Sequence, residues 1–396
     1  MTAQDYKAPA SVGLLQQRTL VIGGIALFVG FLGWAKMPDV FVRTYLNSYL
    51  LILGLTLGSL GLLMLQHLTG GQWGILIRRP LEAATRTLPL LLVLFIPIVL
   101  GMKSLYMEWL DPERTKEVPL SQLQQGYLTH NWFVVRAVIY FAVWIGLMLI
   151  FNAWSRKQDV DQTSRTLRRK FKLLAGPGII LYVFAMSFAA IDWVMSITPH
   201  WASTIYGFLF VAGQLISSMS FMICVLVLLA KTEPFASIIT KRHLHDVGKL
   251  LFAFIMLWAY FDFSQLLIIW SGNQPEEITF YMSRLHGPWG FVAVAVLVFH
   301  FFVPFFILLS SDVKRSAKLL PKVAMWMIFM RCVDLFWMTR PEFSPKGAIA
   351  FSWLDIVLPI ALIGIWLAYF AFNLKQQPLL PLGDPKLAEA IGNHEH

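Results

Sequence analysis

The chain has 396 residues, of which 57% are hydrophobic and only 14% charged, with a mean hydropathy of +0.65 and a net charge of +10. Soluble domains are about 25% charged, so these figures exclude a disordered chain and set aside an ordinary soluble enzyme. They fit an integral membrane protein, where a basic excess speaks of topology rather than of nucleic acid.

Along the chain, the first apolar run is long and no small-residue cleavage site follows it, so no cleavable signal is expected. A membrane span needs about 20 mostly apolar residues at about 1.5 Å rise each. Ten runs qualify: 19–36, 45–68, 87–107, 131–154, 173–196, 203–230, 249–272, 288–310, 319–339 and 352–373. They are continuous, without the alternation of barrel strands, so the fold class is an all-α integral membrane protein. Pro97, Pro177, Pro304 and Pro359 mark expected kinks. Between the second and third runs, segment 73–86 is too short and too charged to span. It reads as an interfacial helix, with Trp73, Ile75, Leu76 and Leu81 towards the acyl chains and Arg78, Arg79 and Arg86 towards headgroups.

Most of the 32 Lys and Arg fall in the N-terminus, the even-numbered loops and the C-terminal tail, 374–396. Both termini are therefore expected in the cytoplasm. Nine tryptophans (Trp34, Trp109, Trp132, Trp193, Trp201, Trp270, Trp289, Trp337 and Trp353) fall at the other ends of the spans. An aromatic belt accounts for most of them, and their bias to one face suggests that a partner docks there.

The sequence also contains a concealed repeat. Asp192, Pro199 and Trp201 at the end of span 5 match the spacing of Asp334, Pro341 and Phe343 at the end of span 9. The loops after spans 3 and 7 echo each other through Trp109–Glu113 and Trp270–Glu276. These echoes predict two four-helix bundles, spans 2–5 (45–196) and spans 6–9 (203–339), with spans 1 and 10 peripheral.

Ionisable groups inside spans are costly and so are functional candidates. Asp262 is near the middle of span 7, His300 near the middle of span 8, and Arg331 lies in span 9 with Asp334 one turn outward. Gln265 shares a face with Asp262, and Tyr260 and Ser217 are near in the pattern. This set reads either as a proton relay or as a static polar network. Arg136, Asp192, His200 and Trp201 form a weaker candidate for a quinone pocket near the outer face. His300 is the only central histidine, which argues against a bis-histidine haem. Cys224 and Cys332 cannot supply a disulfide framework or an iron–sulfur site, and no metal site or nucleotide motif is expected.

Three stretches carry a family resemblance. They are Asp192-Trp-Val-Met-Ser-Ile-Thr-Pro-His-Trp-Ala-Ser-Thr-Ile-Tyr206, then Trp258-Ala-Tyr-Phe-Asp-Phe-Ser-Gln-Leu-Leu-Ile-Ile-Trp-Ser-Gly-Asn273 followed by Pro275-Glu-Glu277, and the basic Gly70–Pro80. Over roughly residues 15 to 375 the chain resembles the NrfD-like superfamily of polysulfide reductase membrane subunits, in its ActF branch. That branch supplies a membrane subunit of alternative complex III, a bacterial quinol:electron-acceptor oxidoreductase of the cytoplasmic membrane.

The resemblance implies ten helices in two four-helix bundles. It also implies three kinds of partner: a related ten-span subunit, a periplasmic iron–sulfur protein resembling molybdopterin oxidoreductases, and haem c proteins. Those carry the electrons. The quinol site is usually assigned to the sister subunit, although ActF-like chains are often labelled quinone-binding, so the resemblance allows a menaquinone-type quinol or a structural lipid as the ligand here. Asp262, His300, Arg331 and Asp334 match the place of a proposed proton path. Two rival readings stand beside this one: a quinol-binding anchor of a molybdenum or iron–sulfur reductase, and a secondary transporter.

Overall fold

A computed structural model describes residues 6–117, 120–160, 165–344 and 347–392. The last residues of the 374–396 tail, 393–396, lie outside the described residues. Among those described, every regular element is helical, and nine helices are long and apolar enough to cross a membrane. The chain is therefore an all-α, multi-pass membrane protein.

The long helices are α1 (Ala10–Lys36), α2 (Pro38–Thr69), α3 (Arg78–Leu100), α4 (His130–Val160) and α5 (Arg165–Trp193). They continue with α6 (Tyr206–Leu229), α7 (Lys241–Gly272), α8 (Pro288–Leu309), α9 (Leu320–Thr339) and α10 (Leu354–Leu374). Helix α9 stands apart from the nine because Lys322, Arg331 and Asp334 interrupt its apolar character.

Helices α2 and α6 form the centre, each buried along most of its length and packed on the other. Small residues allow the approach: a Cβ on Gly58 would sit 2.1 Å from the Gln214 carbonyl oxygen, and Ser59 Oγ lies 2.8 Å from Ser218 Oγ. A backbone carbonyl cannot swing away like a side-chain tip. Gly58→Val is therefore expected to destabilise the protein by about 3 kcal/mol or more through overpacking, read as a lowered melting temperature in detergent. Helix α1 lies against α10, with Gly23 against Gly364, so the first and last long helices make a pair at the side of the core.

Helix α3 is interrupted at Phe95, two residues before Pro97, where the Phe95 and Ile98 amides bond three residues back. This leaves the Leu91 and Leu94 carbonyls without their usual helical donors. Tyr49 and Tyr45 of α2 donate their hydroxyls to them, at 3.1 and 2.7 Å. Pro177 and Pro359 sit inside unbroken helices, while Pro304 follows a π-helical turn, Leu297–Phe302, in α8.

Segment 73–86 corrects the interfacial-helix expectation. Arg78–Thr85 is the first part of α3, and every residue in it is buried. Arg78 donates to Glu82 at 3.1 Å, Asp384 at 2.8 Å, Gln158 at 2.8 Å and Ser155 at 3.2 Å. Arg79 donates to Glu82 at 2.7 Å, to Ser155 at 3.0 Å and to Asp159. Within the membrane-facing part of a protein such charges persist only when paired. The chain after α10 completes the cluster. Leu379 and Leu380 are fully buried, Asp384 pairs with Arg78, and the Leu379 amide donates to the Tyr6 carbonyl.

The tryptophans at the opposite end also depart from the belt expectation. Trp109, Trp193, Trp201, Trp289 and Trp337 are buried in protein, whereas Trp132, Trp270 and Trp353 are exposed. Trp109 donates its indole N–H to the Ser196 carbonyl, while its sequence echo, Trp270, is exposed.

Candidate functional site

Asp262 of α7, His300 of α8 and Asp334 of α9 lie around Arg331 of α9. Its guanidinium donates to Asp334, one turn on in α9, and lies 5.6 Å over the Phe210 ring of α6. A Cβ on Gly213 would stand 2.3 Å from the Arg331 guanidinium carbon, so this glycine opens the space that the charge occupies. Arg331 and Asp334 are both buried. Arg331 is within electrostatic reach of Asp262 and of His300.

Asp262 is half-buried, and no hydrogen bond or ion pair joins it to another described residue. His300 is fully buried on the π-helical turn, with both ring nitrogens unpartnered. The edge-on Trp258 ring lies 4.2 Å away. A π turn widens the helix locally and often marks a functional position. An extra residue in that turn rotates His300 relative to a regular helix.

The remaining members of the relay set divide. Gln265 is buried and held by Ser203, which donates to its carbonyl oxygen at 3.0 Å, and by the Tyr281 hydroxyl at 3.2 Å. It lines an opening of about 450 Å³ with Ser203, Thr204 and Glu277. Ser217 donates to the Gly213 carbonyl of its own helix at 2.9 Å. Tyr260 is 64% exposed on the outside of α7 and faces away from the other members.

Gly213 escaped the sequence reading because α6 also carries Gly207, Ala212, Ser217, Ser218 and Ser220, so one small residue among them does not stand out. Gly213→Ala is expected to push the flexible Arg331 tip off Asp334 and lower stability by about 1–3 kcal/mol. Replacing Arg331 and Asp334 together by Met and Asn removes the clash without stranding either charge. A smaller loss from Gly213→Ala in that background than in the parent protein is the expected result; additive losses would count against the contact.

At the opposite end, Arg136 and Asp192 do meet. Arg136 Nε donates to Asp192 Oδ2 at 2.8 Å, and the Tyr140 hydroxyl donates to the same oxygen at 2.7 Å. The Arg136 guanidinium also covers the Tyr127 ring at 3.8 Å. Asp192 is fully buried, and Trp193 beside it packs among Phe95, Phe141 and Trp144. His200 is exposed, and Trp201 stacks at 3.9 Å on Phe280 of the helix Pro275–Leu285 that follows α7. A quinone needs a ring-sized amphipathic slot in which its polar partners converge. These four residues do not converge, so as a set they do not fit that group.

Sequence reasoning also missed a second tethering pair. Arg284, in the helix Pro275–Leu285, donates to Glu342 at 2.5 Å and to the Met338 carbonyl at 2.9 Å, with its guanidinium 3.5 Å over Phe280. It ties the connection after α7 to the end of α9. Burial is the largest influence on Arg284 and lowers its pKa, against the opposing pull of Glu342.

No protein-family model matches this chain, and no curated protein matches its sequence.

Proposed function

We propose that this chain is an ActF-like membrane subunit of alternative complex III, a bacterial quinol:electron-acceptor oxidoreductase. In this reading α9 spans with the nine apolar helices, giving ten spans in two four-helix bundles, 45–196 and 203–339. Both termini lie in the cytoplasm of a cell whose inner membrane holds the complex. The chain scaffolds a related ten-span subunit, a periplasmic iron–sulfur subunit resembling molybdopterin oxidoreductases, and haem c subunits. It conducts protons linked to quinol oxidation, while other subunits carry the electrons.

One contrast within the molecule carries the proton-conducting part. Around Arg78 and Glu82 the buried charges are matched, and only Arg79 Nε among those four-way contacts lacks a partner. Around Arg331, the half-buried Asp262 has no hydrogen bond or ion pair to a described residue, and the fully buried His300 has no partner on either nitrogen. A static network would be expected to satisfy a buried group such as His300, because leaving it unpaired costs about 1–3 kcal/mol. Groups left able to take and release protons support the relay. The secondary-transporter reading expects unwound backbone near the midplane that binds substrate. The break in α3 favours it less, since Tyr45 and Tyr49 already occupy the freed carbonyls.

Purification of the tagged chain from its native membrane in mild detergent tests the assignment. Co-purification with haem c and iron–sulfur subunits, and quinol oxidation by the assembly, is expected. A chain that isolates alone and moves a solute in vesicles would overturn it.

A further inference from the structure

Two arginines share a cavity that the proton path does not use. It lies at the end of the molecule opposite the Arg78 cluster, where α1 gives way to α2 and α9 leads to α10. Its volume is about 440 Å³, and Arg43, Arg340, Phe343, Ser352, Phe351 and Trp353 help to line it. That lies within the range of about 300–1,000 Å³ typical of small-ligand sites.

The charges in it are unequal. Arg340 is matched by Asp355, which accepts from it at 3.0 Å. The Asp355 carboxylate is otherwise taken by the Thr44 hydroxyl at 2.7 Å and the Ser352 amide at 2.8 Å. Arg43 forms no ion pair with a described residue, its Nε is buried without a partner, and its guanidinium lies 4.7 Å from the centre of the Phe343 ring. Asp39, one turn earlier on α2, accepts instead from Ser104 at 2.6 Å. The cavity is thus lined by a guanidinium that no described carboxylate pairs with, the kind of group that a phosphate oxygen pair satisfies.

The rim indicates what that phosphate is attached to. Phe351 is 63% exposed beside the cavity, and Trp353 is exposed at the start of α10. Ile356 and Ile360, three and seven residues beyond Trp353 on the same face of α10, are also exposed. This apolar track begins at the arginines and runs down the helix. An ion alone would leave it uncovered.

We propose that the Arg43–Arg340 cavity binds the phosphodiester of an anionic membrane lipid, whose acyl chains lie along Trp353, Ile356 and Ile360. Arg43 provides the main contact to the phosphate. Arg340 remains paired with Asp355 and lends the site its shape.

Native mass spectrometry of the full-length protein, stripped of lipid and titrated with phosphatidylglycerol, tests this. One tightly held lipid is expected, with binding weakened about tenfold or more in Arg43→Gln, which removes a contact worth about 1.4 kcal/mol or more, and largely kept in Arg43→Lys. Phe351→Ser is expected to weaken phosphatidylglycerol while leaving competition by inorganic phosphate unchanged. Equal phosphatidylglycerol binding in the parent and Arg43→Gln would sink the proposal. Saturation by inorganic phosphate as tight as by the lipid would assign the site to the free ion instead. Loss of a neighbouring subunit in Arg43→Gln, with lipid binding intact, would assign it to an acidic protein partner.

Discussion

Asp262→Asn is expected to lower proton release linked to quinol oxidation about a hundredfold, the usual scale for losing a positioned acid–base group, while the protein stays assembled. The structural reason for the second half is that Asp262 makes no hydrogen bond or ion pair to a described residue. An amide of the same shape strands no partner there. Asp334 is different: it holds Arg331, and its loss would leave a buried charge uncompensated. Comparing the two variants therefore separates transport from stability. Protons released per quinol oxidised, in vesicles containing the purified assembly, give the first measurement, and the melting temperature gives the second. An Asp262→Asn assembly with unchanged yield and rate would eliminate the relay and leave the static network.

The largest stability effect is expected at Glu82. Glu82→Gln keeps the volume but removes the carboxylate shared by Arg78, Arg79 and Ser155, with contacts at 3.1, 2.7 and 2.6 Å. Asp384 and Asp159 remain, but each reaches only one of the two arginines. Two cations would then share a buried space with weakened compensation, a change that usually costs about 3–5 kcal/mol. A large fall in melting temperature is the expected outcome. Replacing Arg78, Arg79 and Glu82 together by Met, Met and Leu, with Asp159→Asn and Asp384→Asn so that no carboxylate is left without its arginine, is expected to recover much of the loss. If Glu82→Gln melts with the parent protein, the cluster contributes little to the fold.

The comparison of the two arginine groups also shows where sequence reasoning works. Asp262, His300, Arg331 and Asp334 were legible because each interrupts a long apolar run, and an isolated charge there stands out without knowledge of its neighbours. Arg78 and Arg79 were misread because they sit in a short, charged connection that has the composition of a membrane-surface helix. Their partners Ser155, Asp159 and Asp384 come from distant parts of the chain. The tryptophans failed in the same way: position at a span end does not distinguish Trp193, packed among rings, from Trp270, facing outward.

The sequence by itself determined that the chain crosses the membrane many times as helices. That conclusion needs only run length and hydropathy, which follow from the thickness and dryness of the bilayer. It also located the costly charges within those runs. Only the tertiary structure decided which charges are matched and which wait for a partner, because pairing depends on distances between helices remote in sequence. The +10 excess illustrates both halves. Its distribution is a linear property and predicts orientation, while the burial of Arg78 and Arg79 and the unpaired state of Arg43 arise only when the helices pack.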